Sequence, residues 1–165
     1  MTSRTGFIDP DRLTSNRIAE FHVYWRHKGG ESGLPARAAI DPAEIPRLLP
    51  YLVIAEIEQS PFRIRYRLVG TRVAQANGSD YTNRYLDGCG FAVEPLLTEC
   101  YRRLIRTRAP VFAYYEWYRS DWGHRTGSTG ASETGFFPLS SDGATIDLAI
   151  SVADSDIAPY PPGRI

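Results

Sequence analysis

The stretch Phe62-Arg63-Ile64-Arg65-Tyr66-Arg67-Leu68-Val69 alternates apolar and basic residues with a period of two. Side chains along a strand point to opposite faces in turn, so this run reads as a β-strand with one buried and one wet face. Residues 51–58 have strand composition as well, and Glu58-Gln59-Ser60-Pro61 reads as the connecting loop. Folded back across that loop, Ile57 faces Phe62, Ala55 faces Ile64, Val53 faces Tyr66 and Tyr51 faces Leu68. The same register sets Glu56 against Arg63 on the other face, where opposite charges attract. A slip of one residue would mix the two faces, so the hairpin is well specified.

Before the hairpin, residues 1–13 read as a flexible arm with a turn at Asp9-Pro10. Thr14, Ser15 and Asn16 can each cap a helix over 17–27, which would bury Ile18, Phe21 and Trp25 at helical spacing. Gly29-Gly30 stops it. Asp41-Pro42-Ala43-Glu44 places a capping aspartate before a proline at the first helical position.

After the hairpin come two short helical pieces, at 70–76 and 80–86, the first closed by Asn77-Gly78. A long helix over 94–107 follows. Its acidic start and arginine-rich end suit the helix dipole, and Leu97, Cys100, Tyr101, Leu104 and Ile105 form its buried stripe. Residues 111–118, VFAYYEWY, read as an aromatic strand, and 131–139 and 145–152 as two more, joined by the turn signal Ser140-Ser141-Asp142-Gly143. Ile146, Leu148, Ile150 and Val152 alternate inward on the last. Residues 14–153 thus form one domain, and 154–165 a proline-rich disordered tail. The fold class is α+β: a five-stranded antiparallel sheet, helices grouped on one face, and an extra helix at the N-terminus.

The totals exclude several classes. A chain of 165 residues buries a core without disulfides or metal, and 42% apolar content is ordinary. Net charge is zero, which gives no electrostatic case for nucleic acid or an anionic membrane. Lys28 is the single lysine among 19 basic residues. Cys89 and Cys100, eleven apart, match no zinc or redox spacing and read as small buried hydrophobes. With no apolar leader and no membrane-length apolar window, the compartment is cytoplasmic by default.

The order of elements resembles the PAS fold: a strand hairpin, short helices, one long connecting helix, then three consecutive strands. The wording is also similar to a stand-alone PAS-like family widespread in alphaproteobacteria, long carried as a domain of unknown function. The matching stretches are Leu34-Pro35-Ala36-Arg37, residues 41–50, Tyr66-Arg67-Leu68-Val69-Gly70-Thr71, residues 80–86 and Phe137-Pro138-Leu139-Ser140-Ser141-Asp142-Gly143. The likeness spans residues 15–153. It implies a sheet whose last strand lies centrally beside the first, and a role in signal transduction. One departure stands at Asn83, where that family has glycine; asparagine also tolerates left-handed backbone.

Cofactor chemistry is disfavoured. Haem-binding PAS relatives supply a histidine from the long helix, and residues 94–107 contain none. His22 and His27 are five apart on one helix and His124 lies in a polar loop, so the three read as solvated or structural. Cys89 is flanked by glycines and lacks the context of a photosensory flavin cysteine. A hydrolase set drawn from Asp121, His124 and Ser128 crowds one loop with no nucleophile-elbow pattern. Glu116 and Glu133, on neighbouring strands, are a candidate carboxylate pair, set against the plainer reading of exposed or arginine-paired residues.

Three functions follow. A stand-alone sensory domain would bind a small organic ligand, with Tyr66, Tyr101, Tyr115 and Trp117 as candidate cavity lining. Its output would pass to a signalling partner or through a homodimer, with Ile18, Phe21 and Trp25 as the candidate interface. The alternatives are a cone-shaped enzyme of ketosteroid-isomerase type, needing a buried polar dyad, and a ligand-free dimeric interaction module. Arg63, Arg65 and Arg67 read as a solvated face, or as a dock for an acidic partner.

Overall fold

A computed structural model describes residues 4–29, 33–119 and 128–165, with the side chains at 117–119 and 128–129 outside the described set. Among the described residues six strands and three α-helices build the fold, with short 3-10 turns between them: β1 (Thr5–Phe7), α1 (Asn16–Gly29), β2 (Leu52–Gln59), β3 (Phe62–Val69), α2 (Thr71–Asn77), α3 (Glu94–Thr107), β4 (Val111–Arg119), β5 (Ser128–Leu139) and β6 (Leu148–Asp154). The strands form one antiparallel sheet in the order β1-β4-β5-β6-β2-β3. The last strand therefore sits centrally beside β2, as the resemblance implies.

The sheet is covered on both faces. On one side α3 and α2 bury Leu97, Cys100, Tyr101, Leu104 and Val73 against Ala55, Ile64, Ala113 and Phe136. On the other, α1 buries Ile18, Phe21 and Trp25 against Phe112, Tyr114, Phe137 and Leu139. Strand β5 is buried on both faces along Ala131 to Leu139, which is why its sequence carries no clean alternation. Gly135 makes the crossing of α1 close, since an added Cβ would come within 2.8 Å of Ile18 Cγ2.

The hairpin keeps its faces but not its predicted register. Pairing runs on to Gln59 opposite Phe62, leaving Ser60-Pro61, a cis peptide, as the turn. Ile57 therefore faces Ile64, Ala55 faces Tyr66, and Glu58 and Glu56 face Arg63 and Arg65. A shift of two residues leaves every side chain on its own face, so face patterning cannot tell the two registers apart. A bulge then makes Arg67 the extra residue, pairs Ile54 with Leu68 and turns Leu68 outward.

Both ends differ from expectation for one reason: each carries apolar groups the sheet can cover. Residues 4–13 are not a loose arm. Thr5–Phe7 pairs with β4 as a sixth strand, and Ile8 is buried. The tail is packed as well, with Tyr160 stacked on Tyr114 at 4.0 Å and buried. The arginine stripe is largely paired within the chain: Arg63 bonds Asp87 at 2.8 and 2.9 Å and stacks on Tyr85, and Arg67 meets Glu56 at 2.9 Å. Asn83 does adopt the left-handed backbone, with φ of 67°.

The turn after β5 makes a pH prediction. The Asp142 carboxylate accepts Ala144 N–H at 2.8 Å, Thr145 N–H at 2.7 Å and the Ser140 hydroxyl at 3.0 Å. These donors, the two backbone ones first, hold its pKa down from 3.8 to about 2. Because the unfolded chain binds the proton more readily, the turn's contribution is complete above 3.8 and lost as pH falls towards 2. A carboxyl NMR titration should find Asp142 with a midpoint of about 2, and an ordinary midpoint would refute this bonding.

Candidate functional site

Three of the four tyrosine and tryptophan candidates meet in one place. Tyr66 points from β3 and Tyr115 from β4 into the layer between the sheet and α3, which supplies Tyr101. The side chain of Trp117 lies outside the described residues; its backbone pairs with Gly130. Tyr81, not foreseen from sequence, completes the group: its ring meets Tyr66 edge-on at 4.6 Å and Phe91 at 5.0 Å. Tyr101 packs edge-on against Phe136 at 5.2 Å. Such ring pairs add to area burial and fix the rotamers.

Hydroxyls are brought in with the rings. The Tyr115 hydroxyl lies 3.1 Å from Thr134 Oγ1. Ser151, on the central strand β6, is buried beside Tyr101, close enough to favour its phenolate slightly yet outside good hydrogen-bond geometry. Burial raises the pKa of Tyr66 and Tyr81 well above 10, and raises Tyr101 and Tyr115 too; neighbouring phenols add to it at Tyr66, Tyr81 and Tyr101, and the Cys100 thiol at Tyr115. All four stay neutral donors at physiological pH. Cys100 beside them is pushed up to about 12 by burial, so it is a packed thiol and not a nucleophile. The layer is thus apolar in bulk with a few convergent hydroxyls.

The opposite face carries a second polar centre. Glu133 on β5 and Asp154 on β6 are paired across the two strands, and both grip the start of α1. The buried Glu133 carboxylate accepts Thr14 N–H at 2.9 Å, the Thr14 hydroxyl at 2.7 Å, Ser15 N–H at 2.7 Å and the Tyr160 hydroxyl. Asp154 accepts the Ser15 hydroxyl at 2.6 Å and Arg17 at 3.1 Å. Ser15 Oγ in turn accepts Ile18 N–H at 3.3 Å, so it is the cap among the three candidates. Carboxylates suit the positive end of a helix, and Glu133 takes the backbone N–H groups of the cap residue Ser15 and of Thr14 before it.

This arrangement corrects two expectations. Glu116 and Glu133 do not face each other, since Glu116 opposes Ala131 and Glu133 opposes Tyr114. Glu116 instead accepts Arg4 at 2.8 Å and the Tyr114 hydroxyl at 2.8 Å. Ile18, Phe21 and Trp25 are not an available dimer surface either. They are buried on the chain's own sheet, and Trp25 Nε1–H donates to the Pro138 carbonyl at 2.9 Å. The apolar stripe was legible; that the sheet itself covers it was not. His22 packs by Phe112 and Phe137, where burial lowers its pKa. Asp121 and His124 lie outside the described residues, as does the side chain of Ser128. Among the described residues no group of histidine, cysteine and carboxylate could hold a metal ion, and no helix is long and apolar enough to cross a membrane.

A PAS domain family model matches residues 13–94, from the start of α1 to the start of α3. The chain is a PAS-fold protein. Its kind is the PAS-type sensory domain, and the tyrosine layer lies between the sheet and the connecting helix of that fold. A solved structure described as an RNA-binding Light-Oxygen-Voltage receptor aligns at 10% identity and a TM-score of 0.46. The alignment covers 93% of this PAS-fold chain and 38% of that one, so the chain spans well under half of that receptor. No curated protein matches it.

Proposed function

We propose that this PAS-type domain senses a small organic ligand taken up in the tyrosine layer, and that the response leaves through α1 to a protein partner. One observation carries the reading: Ser151, buried and without a hydrogen bond of good geometry, sits beside the neutral phenol of Tyr101. A buried hydroxyl without a partner costs about 1–3 kcal/mol. A ligand with a carbonyl or hydroxyl would recover that cost while covering apolar wall. The path to α1 is short, because Ser151 and Asp154 belong to one strand and Asp154 holds the helix start. Catalysis is the weaker reading. The buried carboxylate Glu133 is bonded to Thr14, Ser15 and Tyr160, which suits holding a helix and not moving a proton.

Native mass spectrometry of the purified chain, followed by a thermal-shift screen of small metabolites, tests the proposal. A retained or stabilising compound is expected, with affinity reduced several-fold in Tyr101→Phe and Ser151→Ala by loss of one hydrogen bond each. No shift with any compound, together with a stable dimer, would support the ligand-free interaction module instead.

A further inference from the structure

The outer side of the sheet carries a concave site, on the α1 side and apart from the tyrosine layer. Ile150, Ile54 and Leu68 are successive partners across β6, β2 and β3, and form a continuous aliphatic floor. The segment between α1 and β2 stands over it as a wall, with Ile40, Ile45 and Leu49 turned towards the floor. The cleft measures about 400 Å³. Its rim holds Leu49 and Leu68, which are 37% and 44% exposed, two of the few large apolar side chains left in water.

The lining is unusual in its chemistry. Every apolar side chain in it is aliphatic, and Arg37 is its single charged residue. The Arg37 guanidinium donates to the Ile40 carbonyl at 3.2 Å and forms no ion pair among the described residues. Arg37 is thus the one charged group a ligand lying in this trough would meet, and its guanidinium bonds a backbone carbonyl, not a carboxylate. A flat aromatic ligand would find no ring to stack on. A flexible alkyl chain fits the shape of the trough, and a carboxylate matches the geometry of the free guanidinium edge.

We infer that this cleft binds a medium-chain alkyl carboxylate, with the chain along Ile150, Ile54 and Leu68 and the head group on Arg37. The site is independent of the tyrosine layer, so ligand binding there neither requires nor excludes it. The rigid wall favours a preformed pocket: Gly70 packs directly against the backbone of Leu49 and Pro50.

The test is titration of the whole chain with octanoate, decanoate and dodecanoate below their micelle concentrations, followed by calorimetry. Affinity should rise about fourfold per added methylene while the chain still fits. Arg37→Gln should weaken decanoate roughly tenfold or more, through loss of a charge-assisted bond. Leu68→Glu, a change at an exposed position, should abolish binding and leave the fold intact, whereas Tyr101→Phe should leave decanoate affinity unchanged. Binding that ignores Arg37→Gln and Leu68→Glu, or that is as tight for decyltrimethylammonium, would overturn the inference. So would an absence of binding, and a dimer that Leu68→Glu dissociates would then mark the cleft as a contact between two copies.

Discussion

Replacing Glu133 by alanine should destabilise the fold by about 3 kcal/mol or more, because the variant removes the acceptor for four donors at one stroke. Thr14 N–H, Ser15 N–H, the Thr14 hydroxyl and the Tyr160 hydroxyl all end on this carboxylate. Water cannot readily replace it, since Glu133 is fully buried. For a chain of this size the loss corresponds to a fall of roughly 10 °C in Tm. The damage should be local before it is global: amide exchange at Thr14 and Ser15 should speed up more than exchange in β2 or α3. Glu133→Gln keeps an acceptor oxygen and loses the charge, so it should fall between the two. Melting of Glu133→Ala at the wild-type temperature, with unchanged exchange at the start of α1, would mean that the helix is held by its apolar stripe alone.

That stripe shows how far the sequence could be read. Ile18, Phe21 and Trp25 announce a covered face by their spacing alone. Spacing says nothing of what covers it. The surface expected over it was a second copy or a partner, and the chain's own sheet takes that place because β5 and β6 are buried on both faces. The hairpin teaches a related lesson. Its faces follow from period-two alternation, whereas its register and the bulge at Arg67 depend on pairings that alternation leaves degenerate. Helix α3 was legible to the residue, since proline, charge and apolar periodicity agree at both of its ends.

Much of the polar chemistry was not legible. Glu133 and Asp154 are charged residues in strands, a position that usually means solvent, and only three-dimensional pairing reveals them as the holders of α1. Tyr160 sits in a segment rich in proline, where composition argues against order; its stacking on Tyr114 decides otherwise. Tyr66, Tyr101 and Tyr115 could be proposed together because their elements were identified. Tyr81 was missed because it lies in a short irregular stretch after α2, and irregular backbone gives no face to read.

Gly70→Ala should be the most damaging small substitution in the chain, with a loss of about 3 kcal/mol. The backbone angles at Gly70, φ of −63° and ψ of 153°, suit alanine, so conformational strain is not the cause. Space is. An added Cβ would lie 2.4 Å from the Pro50 carbonyl oxygen, 2.6 Å from its carbon and 2.7 Å from the Leu49 oxygen. All three are backbone atoms, in a turn stiffened by proline, and none can swing aside as a side chain would. Gly70 itself is pinned by its N–H to the Leu52 carbonyl at 2.8 Å. Relief therefore demands that the 49–51 turn move away from the end of β3, which opens the aliphatic cleft that the two segments enclose. Gly88→Ala is the matching control, since a Cβ there meets nothing within 4 Å. Thermal melts should separate the two variants by several degrees, and decanoate affinity should fall in Gly70→Ala alone. Equal melting of the two would show that the turn yields to a methyl group, and that the wall of the cleft is soft.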